Sequence, residues 1–152
     1  MEKAKIIGID LFNRDILVCF GSKDFLVENL SKYVDDTECT SVSEDINVGT
    51  SGRSIMLSGG QIVLWMPSLP ESGEELGTLS HEIFHVAVMV MKKAGVGFCA
   101  DSEEVFAYLI GYITKNVTEM LTSDGVLSLL SSDDASHNPR LQNGQSLRHD
   151  TP

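Results

Sequence analysis

Two histidines lie four residues apart in an otherwise apolar stretch of the sequence. His81 and His85 enclose the pentapeptide HEIFH, in which Glu82 directly follows the first histidine. Residues at this spacing on an α-helix point the same way, so both imidazoles would face one point in space. Zinc accepts neutral imidazole nitrogen at about 2.0–2.1 Å, and one ion can bridge two rings. The residues therefore predict a metal site, with Glu82 placed to reach a water on the ion.

A second set of acids opens the next helical pattern. Glu103 and Glu104 follow a short turn that contains Gly95. Two antiparallel helices joined by such a turn can bring one of these carboxylates back towards the histidines, which would complete an open three-ligand zinc site. Because neighbouring helix residues are about 100° apart, only one of the two glutamates can face the metal squarely.

The histidine pair also has an ordinary explanation. A histidine on an apolar helix is usually a core residue with a backbone partner, and two in one helix can be coincidence. H-E-x-x-H on a helix is nevertheless the signature of zinc metallopeptidases, because its spacing gives two ligands and a general base. An α+β domain without any metal remains as the alternative.

The spacing of the acids and histidines resembles that of the gluzincins. In that family the third zinc ligand is a glutamate on the helix after the HExxH helix, and here eighteen residues separate His85 from Glu104. The stretch EEVFAYLIGYIT also resembles small phage- and prophage-encoded proteins that carry HExxH. The likeness covers Leu76 to Thr114, about a quarter of the chain. It implies zinc bound by His81, His85 and Glu104, with Glu103 left solvated or behind the ligands.

The resemblance implies a peptidase that hydrolyses peptide bonds of a peptide or protein substrate. Glu82 would be the general base for a zinc-bound water. Tyr108, one turn beyond Glu104, would assist the oxyanion, or else is an ordinary tyrosine at the edge of the core. Zincin-type peptidases also bind substrate along an edge strand, which gives the stretch 62–66 a second role besides that of a core strand.

A function of another class is also open. The zincin scaffold could be kept for interaction or regulation, with little or no hydrolysis. Glu82 favours the enzyme, because a purely structural zinc site does not need that acid. The sequence defines no specificity pocket and no oligomeric state.

Composition narrows the partners and the compartment. Lys and Arg number 11 against 22 Asp and Glu, a net charge of −11 that argues against binding to a phosphate backbone. No apolar run approaches the ~20 residues of a membrane span, and the N-terminus lacks a cleavable signal. Three cysteines without CxxC spacing indicate reduced thiols, with Cys99 expected to be a small buried hydrophobe. We expect a cytoplasmic protein, in a bacterial host if the phage-like resemblance holds.

Periodicity predicts an α+β fold, in which a mainly antiparallel N-terminal sheet packs on the HExxH helix and the Glu104 helix completes the core. This small zincin-like domain would span 1–122. Within it we expect a hairpin that turns near 13–15, a helix over 22–34 and a loop over 35–52 with at most one short strand. A second hairpin over 53–67 should turn at Gly59-Gly60. One long helix should run from Glu71 or Gly73 to Ala94, and another over 103–121.

The expected N-caps are Ser22 or Asp24 for the first helix and Asp101 or Ser102 for the last. Residues 123–152 are polar and are predicted to form a disordered tail, in which His137 and His149 are exposed.

Overall fold

The computed structural model describes residues 1–122, and its helices and strands form a mixed α+β fold, as predicted. The strands are β1 (Lys3–Ile9), β2 (Arg14–Phe20), β3 (Arg53–Met56) and β4 (Ile62–Met66). The α-helices are α1 (Lys23–Leu30), α2 (Asp36–Asp45), α3 (Gly73–Lys93) and α4 (Glu103–Thr122). The predicted tail 123–152, with His137 and His149, lies outside the described residues.

The four strands form one sheet in the order β1-β2-β4-β3. The hairpins β1–β2 and β3–β4 are antiparallel, whereas β2 and β4 pair in parallel, so the sheet is mainly antiparallel as expected. The first hairpin turns through a short 3-10 helix and Asn13, whose φ is 47°, and the second turns at Gly60, whose φ is 87°. Both positions tolerate positive φ, since Gly and Asn are the residues that adopt it most readily.

Strand β4 is an interior strand of the sheet. All five of its residues are buried, and β2 and β3 occupy its two sides. The stretch 62–66 is therefore a core strand, and its suggested second role as the substrate-binding edge is wrong. The edge strand next to α3 is β3, which is only four residues long.

Helices cover both faces of the sheet. Alternate residues of β2 point to opposite sides, as a strand requires: Ile16 and Val18 join one core cluster, and Leu17 and Cys19 join the other. The first cluster is completed by α3 and α4, and the second by α1 and α2. Burial of each large aliphatic side chain contributes on the order of 1.5–3 kcal/mol, so this layered core holds α3 firmly on the sheet.

Helix α2 occupies 36–45 of the stretch 35–52 that was expected to be a loop, whereas residues 46–52 do form a loop. The Asp35 carboxylate accepts a hydrogen bond from the backbone N–H of Glu38 at 2.9 Å and caps the helix. Cys39 and Val42, one turn apart, are buried against the second cluster. The Ser- and Thr-rich composition favours caps and turns over helix interiors, which concealed this short amphipathic helix.

The two long helices lie where the sequence predicts them. A capping box of Ser72 and Glu75 opens α3, and Gly95, with φ of 78°, follows its last turn. Ser22 is confirmed as the N-cap of α1, through its hydroxyl at 3.2 Å from the N–H of Phe25. Within 1–122, no helix combines the length and the apolar character needed to cross a lipid bilayer.

Candidate active site

The two histidines of HEIFH meet on the exposed side of α3. Their Nε2 atoms are 3.0 Å apart, and the rings are edge-to-face with centroids separated by 4.6 Å. Two nitrogens bound to one tetrahedral zinc at about 2.0–2.1 Å would lie about 3.3 Å apart. The two Nε2 atoms are thus at hydrogen-bond distance from each other, and a small rotation of the rings would give the separation that a shared ion requires.

Burial of the apolar residues of α3 leaves the side that carries the histidines exposed to solvent. Leu79, Ile83, Val86 and Val90 are buried in the cluster beneath the helix. Their three- and four-residue spacing places them on one stripe, and the histidines lie roughly opposite it. Burial of the stripe therefore leaves both imidazoles accessible to solvent and to a ligand.

Glu82 lies on the flank of α3 that packs against the edge strand. Its side chain is 7% exposed, and within the described chain Glu82 and Ser102 are the buried polar residues. The hydroxyl of Ser54 in β3 donates to Oε2 of Glu82 at 2.7 Å and lies 3.0 Å from its backbone carbonyl oxygen. The sequence did not indicate Ser54, because its partner is 28 residues further along the chain.

A glycine permits this close approach of β3 to α3. A Cβ atom on Gly52 would lie 2.9 Å from Cγ2 of Thr78 and 3.0 Å from Cγ of Glu82. Such distances are shorter than normal carbon contacts, so any side chain at this position would displace either the strand or Glu82.

The predicted third ligand is not assembled with the histidines. Glu103 and Glu104 are both exposed in the first turn of α4. Within 1–122, no three His, Cys, Asp or Glu side chains are grouped so that they could hold a metal ion. The geometry thus brings together two of the three predicted ligands.

The orientation of α4 distinguishes the two glutamates. The Tyr112 hydroxyl donates to the carbonyl of Gly8 at 2.8 Å, so this side of α4 faces β1. Glu103 lies about 180° around the helix from Tyr112, on the side away from β1, and Glu104 lies about 160° from the buried Phe106. Glu103 therefore lies on the flank of α4 away from β1, whereas Glu104 points away from the core.

Aromatic contacts carry the start of α4 back along α3. The ring of Phe98, in the connection between the helices, is 6.1 Å from that of Phe84 and 5.0 Å from that of Phe106. Phe84 in turn lies 6.3 Å from the ring of His85. The connection therefore folds back beside the part of α3 that carries the histidines.

The hydroxyl of Ser102 fastens this connection. It lies 2.7 Å from the carbonyl of Gly97, to which it donates, and accepts from the N–H of Cys99 at 3.0 Å. Ser102 directly precedes α4, where the N-cap was predicted, and its hydroxyl bonds the backbone of Gly97 and Cys99 in the connection.

Tyr108 lies on a different surface from the histidines. It is 77% exposed and lines a groove of about 410 Å³ with Tyr112 and residues 9–12. None of the residues that line this groove is His81, Glu82 or His85. The structure does not bring the predicted oxyanion partner to the imidazole pair.

The cysteines differ in environment, and all three are free thiols. Cys19 and Cys39 are buried, and burial raises the pKa of Cys19 to about 12. Cys99 is exposed, so its predicted role as a buried hydrophobe is wrong; it belongs to the surface connection rather than to either long helix. The hydroxyl of Ser102 lowers the pKa of the Cys99 thiol.

Compared with known proteins, the chain matches no family model, no curated protein and no solved structure. We therefore infer its function from the arrangement of α3, β3 and α4.

Proposed function

We propose that this protein is a zinc-dependent peptidase with a gluzincin-like, small zincin-type fold. The convergence of the His81 and His85 Nε2 atoms at 3.0 Å carries the proposal. Neutral imidazoles are common zinc ligands, and these two are exposed on a helix whose opposite side is buried. A buried acid directly after the first histidine supports catalysis, since a structural zinc site has no need of it.

The third ligand in this proposal is a carboxylate from the first turn of α4. The resemblance of the spacing implies Glu104, whereas the orientation of α4 favours Glu103. The contacts of Phe98 with Phe84 and Phe106 support either choice, because they connect the first turn of α4 to the residue of α3 that precedes His85. An ion bound to both histidines would draw one carboxylate inward, since these side chains are exposed and free to turn.

The chain's own residues would then divide the work. Zinc, when bound, would supply an activated water and polarise the scissile carbonyl. Glu82 would accept a proton from the water at its carboxylate and deliver it to the leaving amine. Tyr108 would help only if the substrate or α4 brings its hydroxyl to the site. The proposed substrate is a peptide or protein, and the phage-like resemblance suggests the cytoplasm of a bacterial host.

The decisive experiment replaces Glu82 with Gln. Zinc content, measured by mass spectrometry of the purified protein, should stay the same, because Glu82 is not proposed as a ligand. Hydrolysis of a mixed-sequence fluorogenic peptide library should fall by about 10²- to 10⁴-fold, as expected for loss of a general base. Glu74→Gln is the matched control, since Glu74 is an exposed acid in the first turn of α3.

The alternative function is a zinc-bearing interaction or regulatory protein on the same scaffold. Within 1–122 no carboxylate is grouped with the two histidines, and a zinc-bearing protein without a complete catalytic set would hydrolyse slowly or not at all. Stoichiometric zinc without hydrolysis by the wild-type protein would select this alternative. A chain that binds no zinc, and whose metal content and folding are indifferent to His81→Ala, would exclude both functions.

A further inference from the structure

Among residues 1–122, the carboxylate of Glu82 accepts a side-chain hydrogen bond from one residue, Ser54, and interacts electrostatically with the Arg53 guanidinium. Ser54 donates to Oε2 from the edge strand at 2.7 Å, an ordinary distance for an O–H···O hydrogen bond. Within 1–122, the second oxygen, Oε1, accepts no hydrogen bond, and no side-chain nitrogen or oxygen there is both buried and without a partner. Oε1 therefore keeps contact with solvent although the side chain is 7% exposed.

We propose that Ser54 is a positioning residue for Glu82. Its hydroxyl fixes Oε2 and so leaves Oε1 as the oxygen that takes the proton from water. This inference rests on the proposed peptidase function. It assigns to the edge strand a part in orienting the base, which neither the HExxH pattern nor the spacing to Glu104 contains.

The backbone around Ser54 is fixed well enough for this role. Ser54 pairs with Leu64 in the β3–β4 register. Its neighbour Arg53 forms two hydrogen bonds to the Asp45 carboxylate, at 2.8 and 3.0 Å, which tie the strand to α2. Gly52 lets the strand approach Glu82 without a side chain between them. The hydroxyl is thus presented from a backbone anchored on both sides.

A purely structural hydroxyl would behave differently from a positioning one. If Ser54 only satisfied a buried carboxylate, its loss would lower the stability of the protein and leave turnover per folded molecule unchanged. If it orients the base, its loss releases the carboxylate to other rotamers and lowers kcat, because small displacements of a reacting group are costly. Substrate binding and zinc content depend on other groups and would not change.

The test compares Ser54→Ala with Ser54→Thr. The alanine variant should lose on the order of 10- to 100-fold in kcat, with KM and zinc stoichiometry close to wild type. The threonine variant keeps the hydroxyl on a residue suited to strands and should retain most of the activity. Ser80→Ala is the control, because that serine adjoins His81 but bonds only the helix carbonyl of Leu76.

A stability measurement that does not depend on enzymatic activity accompanies the kinetics. In the metal-free protein, urea unfolding of Ser54→Ala, Glu82→Ala and the double variant should be non-additive, because the two residues share one hydrogen bond. Additive shifts in the midpoint would overturn the proposal. So would wild-type kcat in Ser54→Ala, or a loss of zinc or a rise in KM that explains its whole defect.

Measurements on the wild-type protein distinguish a failure of the Ser54 proposal from a failure of the proposed peptidase function. A wild type that hydrolyses peptides, together with an unaffected Ser54→Ala, rejects the positioning role and leaves the peptidase intact. A wild type that binds zinc without hydrolysis rejects the peptidase, and the positioning role with it.

Discussion

The two long helices place their candidate zinc ligands by different means. In α3, His81 and His85 are one turn apart on a single helix, and their Nε2 atoms lie 3.0 Å from each other. In α4, Glu103 and Glu104 reach the same region only if the connection over 94–102 folds in one particular way. The first arrangement is a local property of a helix, and the second is a property of tertiary packing.

In the candidate site, the position of the histidines is determined within one helix, whereas the position of the glutamates depends on packing between helices. The histidines lie one turn apart on an exposed surface of a single helix, so their relative position depends mainly on helix geometry. The carboxylates are exposed acids with no such constraint. Zinc binding would therefore mainly order the start of α4, which carries Glu103 and Glu104.

The largest effect is expected from the α3 half. His85→Ala should lower zinc affinity by more than about 100-fold, because loss of a direct ligand exceeds the 10- to 100-fold typical of partners behind the ligands. Competition with a chromophoric chelator measures the affinity. His137→Ala is the matched control, and unchanged affinity in His85→Ala would show that the convergence of the rings is not a metal site.

Substitution of the candidate ligands in α4 should lower zinc affinity less than loss of a histidine, and only one of the two glutamates should matter. One of Glu103→Gln and Glu104→Gln should weaken zinc binding by about 10- to 100-fold, less than the loss of a histidine because the amide oxygen of Gln remains a weak ligand, and the other by less than about 3-fold. The amide keeps the shape of the side chain and removes the charge. A loss at Glu103 would support the orientation of α4, whereas a loss at Glu104 would support the gluzincin spacing. Equal, small effects would leave α4 without a ligand.

Two serines test whether tertiary packing controls the α4 half alone. Ser102→Ala removes the buried hydroxyl that ties the connection together, and should cost about 1–3 kcal/mol in free energy of unfolding and also weaken zinc binding. Ser72→Ala removes the cap of α3, and should cost about 1 kcal/mol with zinc affinity unchanged. Urea unfolding and chelator competition report both quantities. If both variants bound zinc equally well, the connection would have no influence on the site.

The smallest effect concerns pH and the start of α3. Hydrogen bonds from the N–H of Glu71, and then from Ser72, lower the pKa of Glu75 below its ordinary value. A lowered folded-state pKa stabilises the helix start above the unfolded value near 4.5, and this contribution is lost as pH falls through the folded value. Amide exchange at the first turn of α3 should therefore speed up in acid relative to the helix centre. Glu75→Gln should abolish that pH-dependent difference, and its persistence would exclude Glu75 as the cause.

The sequence predicted the elements with strong periodicity and clear ends. The two hairpins, the cap of α1 at Ser22 and the limits of α3 all follow from alternation, turn residues and capping, which act over a few residues. Helix α2 was missed because its stability comes from burial of Cys39 and Val42 on the sheet. The interior place of β4 was also hidden, since it depends on a parallel pairing with a strand 46 residues earlier.

The residues of the candidate site show the same distinction between local geometry and tertiary packing. The histidine pair and the adjacent Glu82 could be predicted because their geometry is that of one helix. Ser54 could not be, because β3 meets Glu82 only through the packing of the sheet on α3. The choice between Glu103 and Glu104 stays a prediction, since it depends on how α4 turns when a ligand is bound.

The uneven environment of the three thiols gives the protein a built-in attachment point. With Cys19 at a pKa of about 12 and Cys39 buried, a maleimide dye at neutral pH should react first with Cys99. That residue lies in the connection that leads into Glu103 and Glu104, the carboxylates proposed to move towards zinc. A fluorophore placed there would report the movement directly, in the wild-type chain and without any engineered cysteine.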